Sequence, residues 1–159
     1  MSQQDDGAVP TKGRILAIDP GERRIGVAAA DLGLRVAIPL TTIEGGPDAA
    51  ETIVRLVDDE GARALVVGLP LSLSGALGPQ AQRAQALAGA LAQRLAVPVL
   101  TWDERLTSTE AHRRLSSAGG GRRRSRRDVD ALAAAIILQA YLDSQRPGGR
   151  PSGRQPAPG

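Results

Sequence analysis

The chain predicts an α/β fold, a five-stranded mixed sheet with flanking helices, on three observations. Short apolar runs bounded by Gly, Pro or Asp alternate with stretches of helical period. The first three runs follow one another through links too short for a crossover, so they form an antiparallel meander. The later two runs are separated by helix-length segments, which makes the sheet mixed. At 159 residues and 42% hydrophobic content the chain is one domain with a single real core.

Each element follows from its residues. Arg14 to Asp19 and Arg24 to Ala30 read as strands joined by the tight Pro20-Gly21 turn, and Arg35 to Leu40 reads as a shorter third strand after Asp31-Leu32-Gly33. A first helix is expected over Asp48 to Glu60. Asp48 and Glu51 have capping-box spacing, Ile53, Val54, Leu56 and Val57 supply the apolar face, and Gly61 marks the stop. Ala64 to Gly68 is a buried strand, Pro79 starts a helix running to about Leu95, and Val97 to Trp102 is the fifth strand. Thr107 and Glu110 match a capping box for a third helix. Asp128 is placed to cap a fourth over Val129 to Ser144, with Leu132, Ala133, Ile136, Ile137 and Ala140 at helical spacing. The predicted order is βββαβαβαα. The domain is expected over 13–145, between disordered tails at 1–12 and 146–159 that have little to bury.

Composition excludes several kinds of chemistry. There is no cysteine, so disulfides, thiolate nucleophiles and Cys-type zinc sites are absent. Trp102 and Tyr141 are the only aromatic residues, so base stacking on aromatic platforms is not expected. No run approaches the roughly 20 apolar residues of a membrane span, and the polar start lacks the apolar stretch of a secretory signal; the expected location is the cytoplasm. The net charge of +3 is unevenly spread. Arg105, Arg113, Arg114, Arg122, Arg123, Arg124, Arg126 and Arg127 face only Glu110 between residues 105 and 127. Such a patch is either a solvated loop or a surface for a polyanion, and the second reading is favoured.

Three acids stand where an element meets a loop: Asp19 at the end of the first strand, Glu104 after the fifth, and Asp130 early in the last helix. An acid at a strand's carboxyl end is held by a stiff scaffold yet open to a cleft. If the three converge, their repulsion calls for divalent cations, and hard oxygen donors favour Mg²⁺ or Mn²⁺. Two such ions about 4 Å apart would orient a water and stabilise a leaving oxygen. Each acid also has a plain structural reading. Asp130 suits a helix start through the dipole alone, and Asp19 before Pro-Gly is a common turn residue. His112, the single histidine, sits mid-helix between arginine-rich neighbours and reads as a surface residue.

Four ordered motifs carry a family resemblance. They are Ile18-Asp19-Pro20-Gly21 with Arg24-Ile25-Gly26-Val27-Ala28; Val67-Gly68-Leu69-Pro70; Asp103-Glu104-Arg105-Leu106-Thr107-Ser108 with Glu110-Ala111; and Val129-Asp130 with Ala133-Ala134 and Ile137-Leu138. Together, over about residues 13 to 144, they resemble the YqgF/RuvX family, which is similar to Holliday-junction resolvases and has the RNase H-like fold. The resemblance implies a metal-dependent nuclease acting on the 5′ end of precursor 16S ribosomal RNA, with junction-DNA cleavage proposed for some members. By position, Asp19, Glu104 and Asp130 would form its catalytic and metal-binding centre with Mg²⁺ or Mn²⁺. The wider resolvase relatives tend to place their second acid after the fourth strand. This chain has Gly68-Leu69-Pro70-Leu71-Ser72 there and must use Glu104.

Substrate contacts are expected from Gly21, Arg24, Leu69, Pro70, Ser72, Arg105, Arg122, Arg123, Arg124, Arg126 and Arg127. Gly21 and Gly26 would let backbone approach a phosphate, though a tight turn explains Gly equally well. Gly68, Leu69 and Pro70 with Ser72 and Ser74 would line the cleft. Arg105 would hold either an acid or the scissile phosphate. The 122–127 run reads as a mobile arm acting through sequence-independent electrostatics. Partners are therefore nucleic acid, as an rRNA precursor or junction DNA, and ribosomal particles; Ala-rich helix faces suit either a core or a homodimer interface. Two rivals are a non-catalytic nucleic-acid-binding module on the same fold and an ATPase of the actin and sugar-kinase type. The chain is too short to hold both halves of the latter.

Overall fold

The computed structural model describes residues 9–107, 112–113 and 125–145. Of the expected third helix only Thr107 and the exposed residues 112–113 are described; Arg122, Arg123 and Arg124 lie outside the described residues, as do 1–8 and 146–159. The strands are β1 (Arg14–Pro20), β2 (Arg24–Asp31), β3 (Val36–Glu44), β4 (Ala62–Leu69) and β5 (Val99–Asp103). The long helices are α1 (Ala49–Asp59), α2 (Pro79–Arg94) and α3 (Arg126–Ser144). None of the described helices is long and apolar enough to cross a membrane.

The sheet order is β3-β2-β1-β4-β5. β1, β2 and β3 form the antiparallel meander, and β4 and β5 add parallel to β1. Side chains alternate across this sheet, so each strand feeds two cores. Ile15, Ala17, Ala28, Ala30, Ala64 and Val66 face α3 with Ala134, Ala135, Leu138 and Leu142. Leu16, Ile18, Val27, Ala29, Leu65 and Val67 face α1 and α2 with Ile53, Val57, Ala88 and Leu91. The alanines on the α3 side have a consequence for the site: a thin layer lets α3 lie close across β1, β2 and β3.

Several boundaries differ from expectation for identifiable reasons. β3 runs on to Glu44 because a bulge opposite Val27/Ala28 interrupts its alternation near Pro39, a residue tolerated on this edge strand. Asp48 stands at the N-cap of α1 without a side-chain capping bond, so the Asp48/Glu51 capping box does not form. α3 begins three residues earlier than predicted. Its cap is Ser125, whose hydroxyl accepts from Asp128 N while Asp128 accepts from Ser125 N, a full capping box. Asp128 is thus the third helical residue rather than the cap, and Arg126 and Arg127 belong to the first helical turn rather than to an arm.

The far end of α3 is anchored to the β2–β3 turn. Asp31 accepts from Gly33 N and Leu34 N, and Arg35 takes a positive φ of 59°. Arg35 Nη2 then donates to Leu142 O at 2.7 Å, and Gln139 bonds both Ala37 N and Arg35 O. At the other end Thr42 Oγ1 donates to Arg127 O at 2.6 Å. The helix is tied at both ends, which fixes its first turns over the carboxyl end of β1.

Candidate active site

Alternation decides where the acids point. Ile15 and Ala17 face α3, so Asp19 does too, at the carboxyl end of β1. Gly26 lies opposite Asp19 on β2. A Cβ there would sit 1.8 Å from Asp130 O, so only glycine admits the backbone of α3 at this point. Gly26 therefore makes room for the helix that carries Asp130, and not for a phosphate as expected from sequence. Gly21 is also accounted for locally: its N–H donates to Arg24 O at 2.9 Å, and a Cβ would approach that oxygen to 2.5 Å.

Glu104 arrives from the other side. β5 pairs with β4 so that Trp102 lies beside Gly68 and Asp103 beside Leu69. A Cβ on Gly68 would lie 2.8 Å from Ile137 Cδ1 and 3.6 Å from Glu104 Cγ. The bare Gly68 leaves the space taken by Ile137 Cδ1 of α3, and Glu104 Cγ lies alongside at ordinary contact distance.

Asp19 and Glu104 act on one another electrostatically. Burial, the Asp130 charge and partial relief from Glu104 leave Asp19 pushed up to about 6. Burial followed by the Asp19 carboxylate, with a smaller push from Asp103, raises Glu104 to about 7. Glu104 Oε2 is buried with no hydrogen-bond partner among the described residues, a costly state for a carboxyl oxygen. Asp130 is differently placed. Its Oδ2 accepts from Arg24 Nε at 2.7 Å, a pair the sequence did not reveal. Accordingly, no three acid, His or Cys side chains among the described residues are grouped to hold one ion as they stand.

The expected substrate contacts divide. Arg24 is paired with Asp130. Arg127 is engaged with β3, through Nη1 to Thr42 O at 3.0 Å and Nη2 to Glu44 Oε1 at 2.7 Å, while Arg126 is exposed. Arg105 grips Asp103, with Nη2 to Oδ2 at 2.6 Å, and reaches Leu73 O at 3.4 Å. Its partner is Asp103 rather than Glu104, and the result is a clamp on the loop after β4. Within that loop Ser72 Oγ meets Ser74 Oγ at 2.9 Å and accepts from Ala76 N. Leu69 and Pro70 are half-buried at the base of the loop, and Leu73 projects fully from its tip, 96% exposed.

Known proteins resemble this chain in sequence and in fold. A protein of Chloroflexus aurantiacus named "Putative pre-16S rRNA nuclease" is 48% identical over 134 residues, covering 83% of this chain and 88% of that one. One of the same name from Desulforudis audaxviator is 43% identical over 137 residues, covering 85% and 97%. Among solved structures, Thermus thermophilus RuvC in complex with a Holliday junction substrate superposes with a TM-score of 0.58 at 17% identity, over 83% of this chain and 95% of that chain. This likeness shows the RNase H-like resolvase fold. The family described as RuvX, Holliday junction resolvase, matches residues 13–144, from the first residue before β1 to the last of α3, and the chain belongs to it.

Proposed function

We propose that this chain is a divalent-cation-dependent phosphodiesterase that hydrolyses structured nucleic acid, with the 5′ end of pre-16S rRNA as its substrate and the cytoplasm, among ribosomal precursor particles, as its place of work. The observation that carries the reading is the meeting of Asp19 and Glu104 at the carboxyl end of the sheet, with Asp130 on α3 near enough for its charge to act on Asp19. Carboxylates driven together in this way are characteristic of sites matched to a charge the protein does not itself supply. The names of the relatives support the reaction class and the RNA.

The residues fit Mg²⁺ or Mn²⁺. The donors are hard carboxylate oxygens, and the buried Glu104 Oε2 lacks a donor from the described residues. Asp19 and Glu104 would hold the cation, joined by Asp130. Such a cation, when bound, supplies the positive charge that lets water ionise near neutral pH and stabilises the departing oxygen. The chain's own residues do the rest. Gly26 lets the Asp130 backbone approach β2 opposite Asp19. Arg105 holds the Ser72–Gly75 turn beside Glu104, giving the cleft a firm wall. Arg126 and the arginines of 122–124 add positive charge that attracts a polyanion before any specific contact forms.

Replacing Asp19 with Asn tests this directly. Cation-dependent cleavage of a pre-16S 5′ fragment should fall by a factor on the order of 10³ or more, while RNA binding at low salt stays close to that of the unmodified protein. Cleavage that survives the substitution places the reaction elsewhere. A four-way DNA junction is the second substrate to set beside the RNA. The family description and the RuvC complex favour it, and the ratio of the two cleavage rates decides between them.

A further inference from the structure

Arg24 and Asp130 form a pair that is both shielded and oddly placed. Their side chains are 27% and 30% exposed, and Arg24 Nε lies 2.7 Å from Asp130 Oδ2. An ion pair this shielded holds each partner to the other, since losing one leaves an uncompensated charge. Yet Asp130 is also the carboxylate whose charge acts on Asp19. It has two claims on it, one cationic neighbour along β2 and one acidic neighbour on β1.

The backbone restricts how Asp130 can answer. Its carbonyl is pressed against the bare Cα of Gly26, so the start of α3 cannot come closer to β2 at this point. Gly26 pairs with Asp19 across the sheet, and Arg24 is two residues from Gly26 on the same face of β2, about 7 Å along the strand. Asp130 thus sits over a point between the two, and side-chain rotation alone decides which it meets. The hydrogen bond to Asp130 uses Arg24 Nε, and neither Nη group hydrogen-bonds another described residue. A guanidinium used in this way keeps its forked donors for another anion.

We infer that Arg24 is a resident counter-ion which occupies Asp130 until a divalent cation enters between Asp19 and Glu104, and that the exchange at Asp130 releases Arg24 to a substrate phosphate. This rests on the cation-dependent reading given above. Arg24 is then a positioning residue that keeps three carboxylates tolerable without a metal and couples cation entry to readiness for substrate. A permanent strut between β2 and α3 is the alternative, and it predicts a different response to metal.

Calorimetric titration of Mn²⁺ into the full chain without nucleic acid separates the two. Arg24→Gln removes the competitor, so Mn²⁺ should bind at least about fivefold more tightly, the low end of ordinary coupling between sites. In the Asp130→Asn background the same substitution should change nothing. Unchanged or weaker binding by Arg24→Gln, with Asp19→Asn still abolishing it, overturns the counter-ion role and leaves the acidic centre standing. No Mn²⁺ binding by the unmodified protein, or full binding by Asp19→Asn, removes the acidic centre and this inference together. If Arg24→Gln does not fold, the unmodified protein decides. The ¹⁵N–¹H signal of Arg24 Nε, identified by its change in Asp130→Asn, should move as Mg²⁺ is added; a signal that stays fixed at saturating Mg²⁺ overturns the proposal.

Discussion

At the scale of single residues, the site is built as much by what is missing as by what is present. Gly26 and Gly68 lie on the α3 side of the sheet, and each vacancy is filled from α3, by the Asp130 backbone in one case and the Ile137 side chain in the other. Arg105 is the contrasting case, a long side chain spent on architecture. It binds Asp103 at both oxygens and reaches the Leu73 carbonyl. Arg105 is exposed and the pair is screened by solvent, so its contribution to global stability is small. Arg105→Ala should therefore leave the melting temperature nearly unchanged while amide exchange across residues 71–77 accelerates. Equal protection of that loop in both proteins would show that Arg105 does not clamp it. The three acids were candidates from sequence because each was read at a junction of element and loop, though Asp130 proves to be the fifth residue of α3. The Arg24–Asp130 pair was not, because it joins residues 106 apart whose facing depends on how closely α3 approaches β2.

At the scale of elements, most strands and helices could be read from period and punctuation, and the misreading with most bearing on the site is the start of α3. Arg126 and Arg127 carry no apolar signal, so they seemed to extend the basic run; Ser125 in fact starts the helix and places both in its first turn. The shift matters for function, since it puts Asp130 more than one turn inside α3 and makes Arg127 a strut to Thr42 and Glu44. The most demanding contact between elements is that of α3 on β2. Gly26→Ala would thrust a methyl group into the Asp130 carbonyl, and no rotamer can relieve a clash with backbone. Overpacking of this kind costs about 3 kcal/mol or more, and part of it would be met by lifting the start of α3. The expected outcome is a lower melting temperature together with loss of cleavage, whereas Leu138→Ala, a buried change at mid-helix, should cost about 2–5 kcal/mol and leave the cleavage rate of the folded fraction largely intact. Similar losses of cleavage in both folded variants would deny Gly26 any special link to the site.

For the whole molecule, the centre sets stability against charge, and pH exposes the balance. Asp19 moves from 3.8 to about 6 and Glu104 from 4.5 to about 7 on folding, both chiefly through burial. Both are acids raised in the folded state, so the fold prefers them protonated. Their effect on stability is most favourable below the unfolded values and is lost as pH climbs through the folded ones. In chelator, the protein should therefore become less stable between about pH 4.5 and pH 7.5, the opposite of a protein whose carboxylates are held by salt bridges. Asp103, lowered by Arg105, works the other way, but its loss of support belongs below that window. A bound cation reverses the slope, because it favours the ionised forms and must displace their protons; its affinity rises with pH over the same range. Thermal melts in chelator and in millimolar Mg²⁺ across this window should accordingly diverge, close together near pH 4.5 and well separated by pH 7.5, with Mg²⁺ the more stable. Glu104→Gln should flatten the chelator curve and shrink the separation, since the buried group no longer ionises. Parallel curves at all pH values would mean that Asp19 and Glu104 are buried acids with no cation to serve.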